Sequence, residues 1–283
     1  MSNNYTPTVN NVMKGDYAPM IVNIINEYLV TNYGLDMDKV DYVAKNILTN
    51  CNIVYNTNLA GIDFFFSDLI TSRTVNIVTN EINMSNEYDF RNMDFKKGDV
   101  VVDIGGNIGM ISIFLAKKYP FLRIYAFEPV RQNYENFLKN IELNKIPPKT
   151  ITLENKAVTS DGRVVNMKIN PLNTGGSSIS DIISVGGISQ DINNNVQSIS
   201  LNGIFNKYNI KKLSLLKIDC EGAEYEILYN TNRMNLKKIS KLRGEFHENR
   251  TLTNKYNAEK LHNYVSKYIN DVKVVMAGEC FIM

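Results

Sequence analysis

Residues 95–283 predict an α/β domain built on a doubly wound, mostly parallel sheet, and three observations carry that expectation. From Lys96 onward short apolar strands alternate with helical repeats, the mark of such a sheet. The stretch DVVVDIGGNIG (residues 99–109) reads as a buried central strand running into a glycine turn that opens a helix. Polar residues also collect at the carboxyl ends of five successive strands, which is where open α/β sheets hold their ligands.

The 283 residues can bury a substantial core, as one large domain or a domain with a cap. Residues 1–94 carry a different pattern and predict a mainly helical N-terminal cap, a substrate-side region set apart from the sheet domain. The first 18 are polar. Ile21, Ile24, Ile25, Tyr28 and Leu29 then recur at helical spacing and stop near Gly34, and Val40, Val43, Ile47 and Leu48 mark a second helix. Phe64, Phe65 and Phe66 read as core or as the seam with the following domain, and the β-branched run 74–79 reads as a strand.

Within residues 95–283 the first strand, Val100–Ile104, is followed by a helix over 108–118. The second strand, Arg123–Phe127, ends at Glu128-Pro129, and its helix Arg131–Leu143 presents Tyr134, Phe137, Leu138 and Ile141. A third strand over 150–153 and the NKAV after it precede a hairpin-like insertion at 163–170 and a Gly/Ser/Asn-rich stretch at 173–195. A loop that long points to function or mobility. Further strands are predicted at 213–218 and Lys241–His247, with helices from about Glu221 and over 258–268. The chain closes in an antiparallel edge hairpin of 272–276 and 280–283 around Gly278.

Composition removes several classes. A formal net charge of +2 without a long basic run gives no sign of a nucleic-acid partner. Cys51, Cys220 and Cys280, odd in number and far apart, point to a reducing, cytoplasmic setting. The start, MSNNYTPTVNN, lacks the basic and apolar regions of a signal peptide, and no apolar run approaches membrane-spanning length.

The glycine turn indicates a nucleotide ligand and its spacing narrows the kind. A dinucleotide fingerprint places glycines at relative positions one, three and six. Here Gly105, Gly106 and Gly109 fall at one, two and five, with Asn107 in the middle place. Asp103, two residues before the turn, would repel a pyrophosphate and suits a ligand with a cationic end, such as a methionine amino group. Glu128 is placed to accept both ribose hydroxyls. Asn155 and Ala157 are candidates for adenine contacts, and Asp219, Glu221, Glu224, Glu245 and His247 stand at the remaining strand ends.

VVDIGGNIG, AFEP, NKAV, GGSSI and LKIDCEGAEYEIL, in that order, resemble the FkbM family of S-adenosylmethionine-dependent methyltransferases. The likeness covers roughly residues 96–250 and implies a Rossmann-like class I methyltransferase fold. It implies that Asp103, Gly105, Asn107 and Gly109 line the methionine and ribose of S-adenosylmethionine, with Glu128 on the ribose. It also implies a hydroxyl acceptor on a sugar, sugar nucleotide or natural-product scaffold. Gly106 departs from a common alanine, and Asn202 in SLNGIF stands where the family usually has aspartate.

An alcohol is a weak nucleophile at neutral pH and needs a base or a metal. Asp219 is the first candidate, also beside the cofactor, with Glu245 and His247 two apart on one strand face. The three together are a candidate divalent-metal set. Ser177, Ser178 and Glu221 are candidates for acceptor binding. The expected partner is a small-molecule hydroxyl acceptor, with no nucleic acid and no membrane, and a homo-oligomer stays open. Two other readings stay open: a nicotinamide-dependent oxidoreductase and a non-catalytic cofactor-binding protein.

Overall fold

The computed structural model describes residues 8–9, 31, 52–69, 72–86, 88–168, 177, 195–247 and 257–277. A short strand β1 (Thr8–Val9) and a hairpin of β2 (Asn52–Leu59) and β3 (Ile62–Leu69) come first. Helix α1 (Thr74–Asn80) leads to β4 (Val100–Ile104), α2 (Met110–Lys118), β5 (Arg123–Phe127), α3 (Arg131–Leu143) and β6 (Ile151–Glu154). Two small pairs follow: β7 (Ala157–Thr159) lies parallel to β10 (Ser198–Ser200), and β8 (Val165–Asn166) antiparallel to β9 (Asn195–Val196). The chain continues through α4 (Leu201–Lys207), β11 (Leu215–Ile218), α5 (Glu224–Asn230), α6 (Arg233–Leu236), β12 (Lys241–His247), α7 (Ala258–Val265) and β13 (Asp271–Ala277).

The central sheet has the order β13-β12-β11-β4-β5-β6, and every pairing in it is parallel. This is the Rossmann-like doubly wound arrangement that the sequence predicts. Strand order reverses between β4 and β11, so the crevice beyond their carboxyl ends is the place for a ligand. All five residues of β4 and all four of β11 are buried, as strands covered on both faces require. No helix among the described residues is long and apolar enough to cross a membrane.

Three expectations change. The C-terminal edge strand pairs parallel, not antiparallel, to its neighbour, running in register from Lys241↔Asp271 to His247↔Ala277. Helix α7 supplies the crossover that a parallel pairing needs. Residues 278–283, the expected second half of the hairpin, lie outside the described residues. The run 74–79 is helical. Ser72 Oγ accepts the Thr74 N–H at 3.1 Å, Ile77 N–H closes the first turn on Arg73 O at 2.9 Å, and Val75 is buried. Tertiary packing overrides the weak helix preference of its β-branched residues. The insertion strand at 165–166 pairs across the long loop with 195–196 instead of folding back within 163–170.

Before residue 95 the described residues form a hairpin, α1 and two short turns, while the helices expected within 20–48 lie outside them. In β3 Phe64 and Phe66 are buried and Phe65 is exposed, the period-two alternation of a strand with one face on a core. Phe64, Phe66, Val75, Ile82 and Phe90 join Val101, Ile113 and Phe114 in one apolar cluster, so the hairpin and the central sheet share a core.

The outer edge of β3 is closed by asparagines. Asn140 Oδ1 accepts the Ser67 N–H at 2.6 Å, and its Nδ2 donates to Ser67 O at 3.1 Å. Asn144 does the same for Phe65, at 3.0 and 2.6 Å. Two side-chain amides, four residues apart on one helix face, stand where a neighbouring strand's backbone would be. Helix α3 therefore buries Asn133, Asn136, Phe137 and Asn140, while Leu138 of its expected apolar face is exposed.

Asp68, at the end of β3, sits wholly within this packing. Burial lifts its carboxyl to about 7, against hydrogen bonds from Ser72 and the Leu69 N–H. The raised value gives the linkage its sign. Below about pH 4 both states hold the proton and Asp68 costs nothing. As pH rises toward 7 the unfolded chain releases the proton first, and stability falls. Asp68→Asn is expected to flatten the loss of thermal stability between about pH 4 and 7. A variant whose melting temperature still tracks the parent's across that range contradicts this assignment.

Candidate active site

The turn after β4 is set by a close approach. Gly105 has φ +75°, and a Cβ there would lie 1.8 Å from the carbonyl oxygen of Asp219. The N–H groups of Gly105 and Gly106 both donate to Phe127 O, at 3.1 and 3.0 Å, tying the turn to the end of β5. Gly109, φ +90°, leaves room for the Phe137 ring, which a Cβ would meet at 2.1 Å. The loop thus runs between β11 and α3, with Asn107 held left-handed at φ 49°.

Two buried acids brace that loop. Asp103 accepts from Ser112 Oγ at 2.6 Å through Oδ2, and its Oδ1 faces Lys217 Nζ at 3.4 Å. The β4–β11 register, Lys217↔Asp103, dictates this pairing. Lys217 also donates to Gly105 O at 2.6 Å and lies 3.8 Å from Asp219 Oδ2. Although burial opposes its charge, Asp103 and Asp219 hold the ammonium above its ordinary range. Glu128 Oε2 accepts the Asn107 N–H at 2.7 Å, and its Oε1 accepts the Val130 N–H at 2.9 Å. Burial lifts this carboxyl to about 7, while those donors pull it down. Asn155 Nδ2 donates to the carbonyls of Glu128 and Pro129, at 2.8 and 2.9 Å, and the Ala157 N–H donates to Gln197 O at 3.0 Å. Asn155 therefore commits this amide to shaping the turn around Glu128, whereas Ala157 commits its N–H to the pairing of β7 with the β10 segment.

A second cluster lies across the crevice. The ligand atoms of Asp219, Glu245 and His247 come within 4.8 Å of one another, so the structure brings the three candidates together. Asp219 follows β11 directly and its N–H donates to Ile104 O at 3.2 Å. Glu245 and His247 share one face of β12, as their spacing requires, and His247 Nε2 lies 3.5 Å from Glu245 Oε2. Burial, then Asp219, raises the Glu245 carboxyl. Burial alone would lower His247, but Glu224, Glu221 and Asp219 lift its imidazole to about 10.

Glu221 sits in the turn before α5 at φ 55°, its Oε2 3.4 Å from His247 Nε2; burial lifts its carboxyl to about 7. Glu224 is fully buried, where an acid at this point in a helix reads as surface or support. It accepts the Cys220 N–H at 3.0 Å and contacts His247 Nδ1 at 3.1 Å. Ser177 is buried, and Ser178 lies outside the described residues.

Sequence reasoning missed Tyr88. Its hydroxyl donates to Glu245 Oε1 at 2.7 Å, and its carbonyl accepts from Arg243 Nε at 2.9 Å. Arg243, also buried, pairs with Asp271 at 2.8 Å. A single tyrosine 157 positions away leaves no signal in the chain. A lysine inside LLKI did leave one, because a buried strand can hold it only beside acids.

The chain is similar to several known proteins. A family model described as the methyltransferase FkbM domain matches residues 103–268. The chain is 26% identical over 176 residues to Methyltransferase 1 of Beauveria bassiana, covering 54% of this chain and 66% of that protein, just under two thirds of its length. It is 22% identical over 232 residues to 31-O-demethyl-FK506 methyltransferase FkbM of Streptomyces tacrolimicus, covering 74% of this chain and 83% of that protein. Among solved structures, a SAM-dependent methyltransferase of Agrobacterium tumefaciens aligns at 10% identity and TM-score 0.33, over 65% of this chain and 47% of that one.

Proposed function

The chain belongs to the methyltransferase FkbM domain family, and from that premise we propose that it moves the methyl group of S-adenosylmethionine to a hydroxyl of a small molecule, a sugar or sugar nucleotide. The observation that carries the reading is the pairing, at one switch point, of a glycine loop braced by Asp103 and Glu128 with the cluster of Asp219, Glu245 and His247. The first half is the glycine turn after a parallel strand that a nucleoside-bearing donor needs, held in shape from within by Asp103 and Glu128. The second half suits an acceptor whose proton must leave. The hydroxyl oxygen attacks the methyl carbon, the carbon–sulfur bond breaks, and sulfur keeps the electron pair. Asp219 takes or weakens the hydroxyl proton, and alignment for in-line attack supplies much of the rate. The name of the Streptomyces relative describes an O-methyl transfer, which favours oxygen over nitrogen as the acceptor.

The Tyr88–Glu245 hydrogen bond supports a part for residues 1–94 on the acceptor side. A cytoplasmic, small-molecule setting belongs to the same proposal. S-adenosylhomocysteine at about 100 times its dissociation constant is expected to stabilise the protein by about 2.7 kcal/mol, a rise in melting temperature of roughly 5 °C for a chain of this length. NAD at equal concentration leaves it unchanged. The opposite pattern would return the nicotinamide reading. Transfer of a labelled methyl group across nucleotide sugars, capsule-type sugars and phenolic scaffolds then identifies the acceptor.

A further inference from the structure

We propose that Asp219, Glu245 and His247 form a divalent-cation site, with Glu224 fixing the histidine from behind. The donor set is two carboxylates and one imidazole, from the ends of two adjacent parallel strands. Bonds of about 2.0–2.2 Å allow two ligand atoms on one ion to lie at most about 4.4 Å apart. The observed spread, within 4.8 Å, therefore closes on an ion with shifts of a few tenths of an ångström.

The histidine's two nitrogens are treated differently. Nδ1 lies 3.1 Å from Glu224 Oε1, a hydrogen bond to a carboxylate that has no exposed surface. Nε2 faces Glu221 Oε2 at 3.4 Å and Glu245 Oε2 at 3.5 Å, both longer than an N–H···O bond prefers. An imidazole held by a buried carboxylate on one nitrogen, with the other turned to more carboxylates, has the form of a metal ligand with its supporting acid. The second oxygen of Glu224, Oε2, is buried without a hydrogen-bond partner among the described residues. Four acids, Asp219, Glu221, Glu224 and Glu245, meet here with His247 and with Lys217, which is shared with Asp103. A divalent ion relieves that repulsion. Carboxylate and imidazole together suit Mg²⁺, Mn²⁺, Fe²⁺ or Zn²⁺.

In catalysis the ion would bind the acceptor oxygen and lower its pKa, a role that rests on the methyl-transfer reading. Binding itself does not rest on it, so the two are measured separately. Chelator-stripped protein is titrated with Mn²⁺ and followed by electron paramagnetic resonance, and S-adenosylhomocysteine thermal shifts are recorded on the same samples. One Mn²⁺ per chain is expected. Asp219→Asn and His247→Ala should weaken it at least tenfold, and Glu224→Gln by about 10–100-fold. Exposed Glu259→Gln should leave it unchanged. If His247→Ala fails to fold, Asp219→Asn and Glu245→Gln carry the test. Absent Mn²⁺ binding, or binding equal in all variants, overturns the site even where S-adenosylhomocysteine still binds. Mn²⁺ binding without any response to S-adenosylhomocysteine keeps the site and overturns the donor.

Discussion

Asp219→Asn is expected to lower methyl transfer by about 10²–10⁴-fold, the range for loss of a positioned acid or base, while leaving the fold and donor binding nearly intact. The change removes a charge and keeps the shape. The main-chain bond from Asp219 to Ile104 O survives, and Lys217 keeps Asp103 and Gly105 O as partners. The asparagine still sits beside the glycine turn, so the S-adenosylhomocysteine thermal shift should stay within a few degrees of the parent's. A variant that loses both the shift and turnover would make Asp219 a residue of donor binding. One that keeps full turnover would move the acceptor chemistry to Glu245 or His247. Glu245→Gln is the useful comparison, because the Tyr88 hydroxyl can still donate to the amide oxygen.

What the chain disclosed and what it hid divide along physical lines. The central strands were legible because each is a short apolar run between turn residues, and the observed β4, β5 and β12 match their expected bounds. The switch-point residues were legible because a residue at a strand's carboxyl end has only one crevice to face. Burial of Asn140 on α3 and of Asn144 at its C-terminal cap was not, since a search for apolar periodicity passes over amides that pair with a strand edge. Parallel pairing of β13 was hidden too: its sequence suits either direction, and the choice rests on the α7 crossover. Tyr88 was hidden for a third reason, that its partner is a long-range contact with no local trace.

These hidden contacts explain how the hairpin layer reaches the chemistry. Arg243 is buried and satisfies its guanidinium on Tyr88 O, Leu242 O and Asp271. It thereby fixes Tyr88 against β12 two residues from Glu245. The same strand that carries the acid also clamps the group that orients it. The N-terminal segment and the strand-end cluster are coupled through the Tyr88–Glu245 hydrogen bond, with the buried Arg243 holding Tyr88 in place.

Gly244→Ala is expected to cost more than about 4 kcal/mol, beyond the usual range for single substitutions and a large part of a native stability of about 5–15 kcal/mol. The residue has φ +151°, and a Cβ would lie 1.6 Å from the carbonyl oxygen of Ile218 and 2.7 Å from its carbon. Those atoms are backbone in a central strand, and Ile218↔Gly244 is part of the β11–β12 register, so neither side can yield without breaking the pairing. Gly105→Ala should behave alike, with its Cβ 1.8 Å from Asp219 O. Gly98→Ala is the control: its φ is +94° with nothing within 4 Å, and it should cost only the roughly 1–2 kcal/mol of a left-handed backbone. Urea denaturation and melting curves check all three, and a Gly244→Ala protein melting within a few degrees of the parent would refute the packing argument. The same crowding that forbids a methyl group there brings the ends of β4, β11 and β12 close. That closeness sets Asp219 beside the glycine turn and within reach of Glu245 and His247, so the glycines set the site's dimensions as well as the fold's stability.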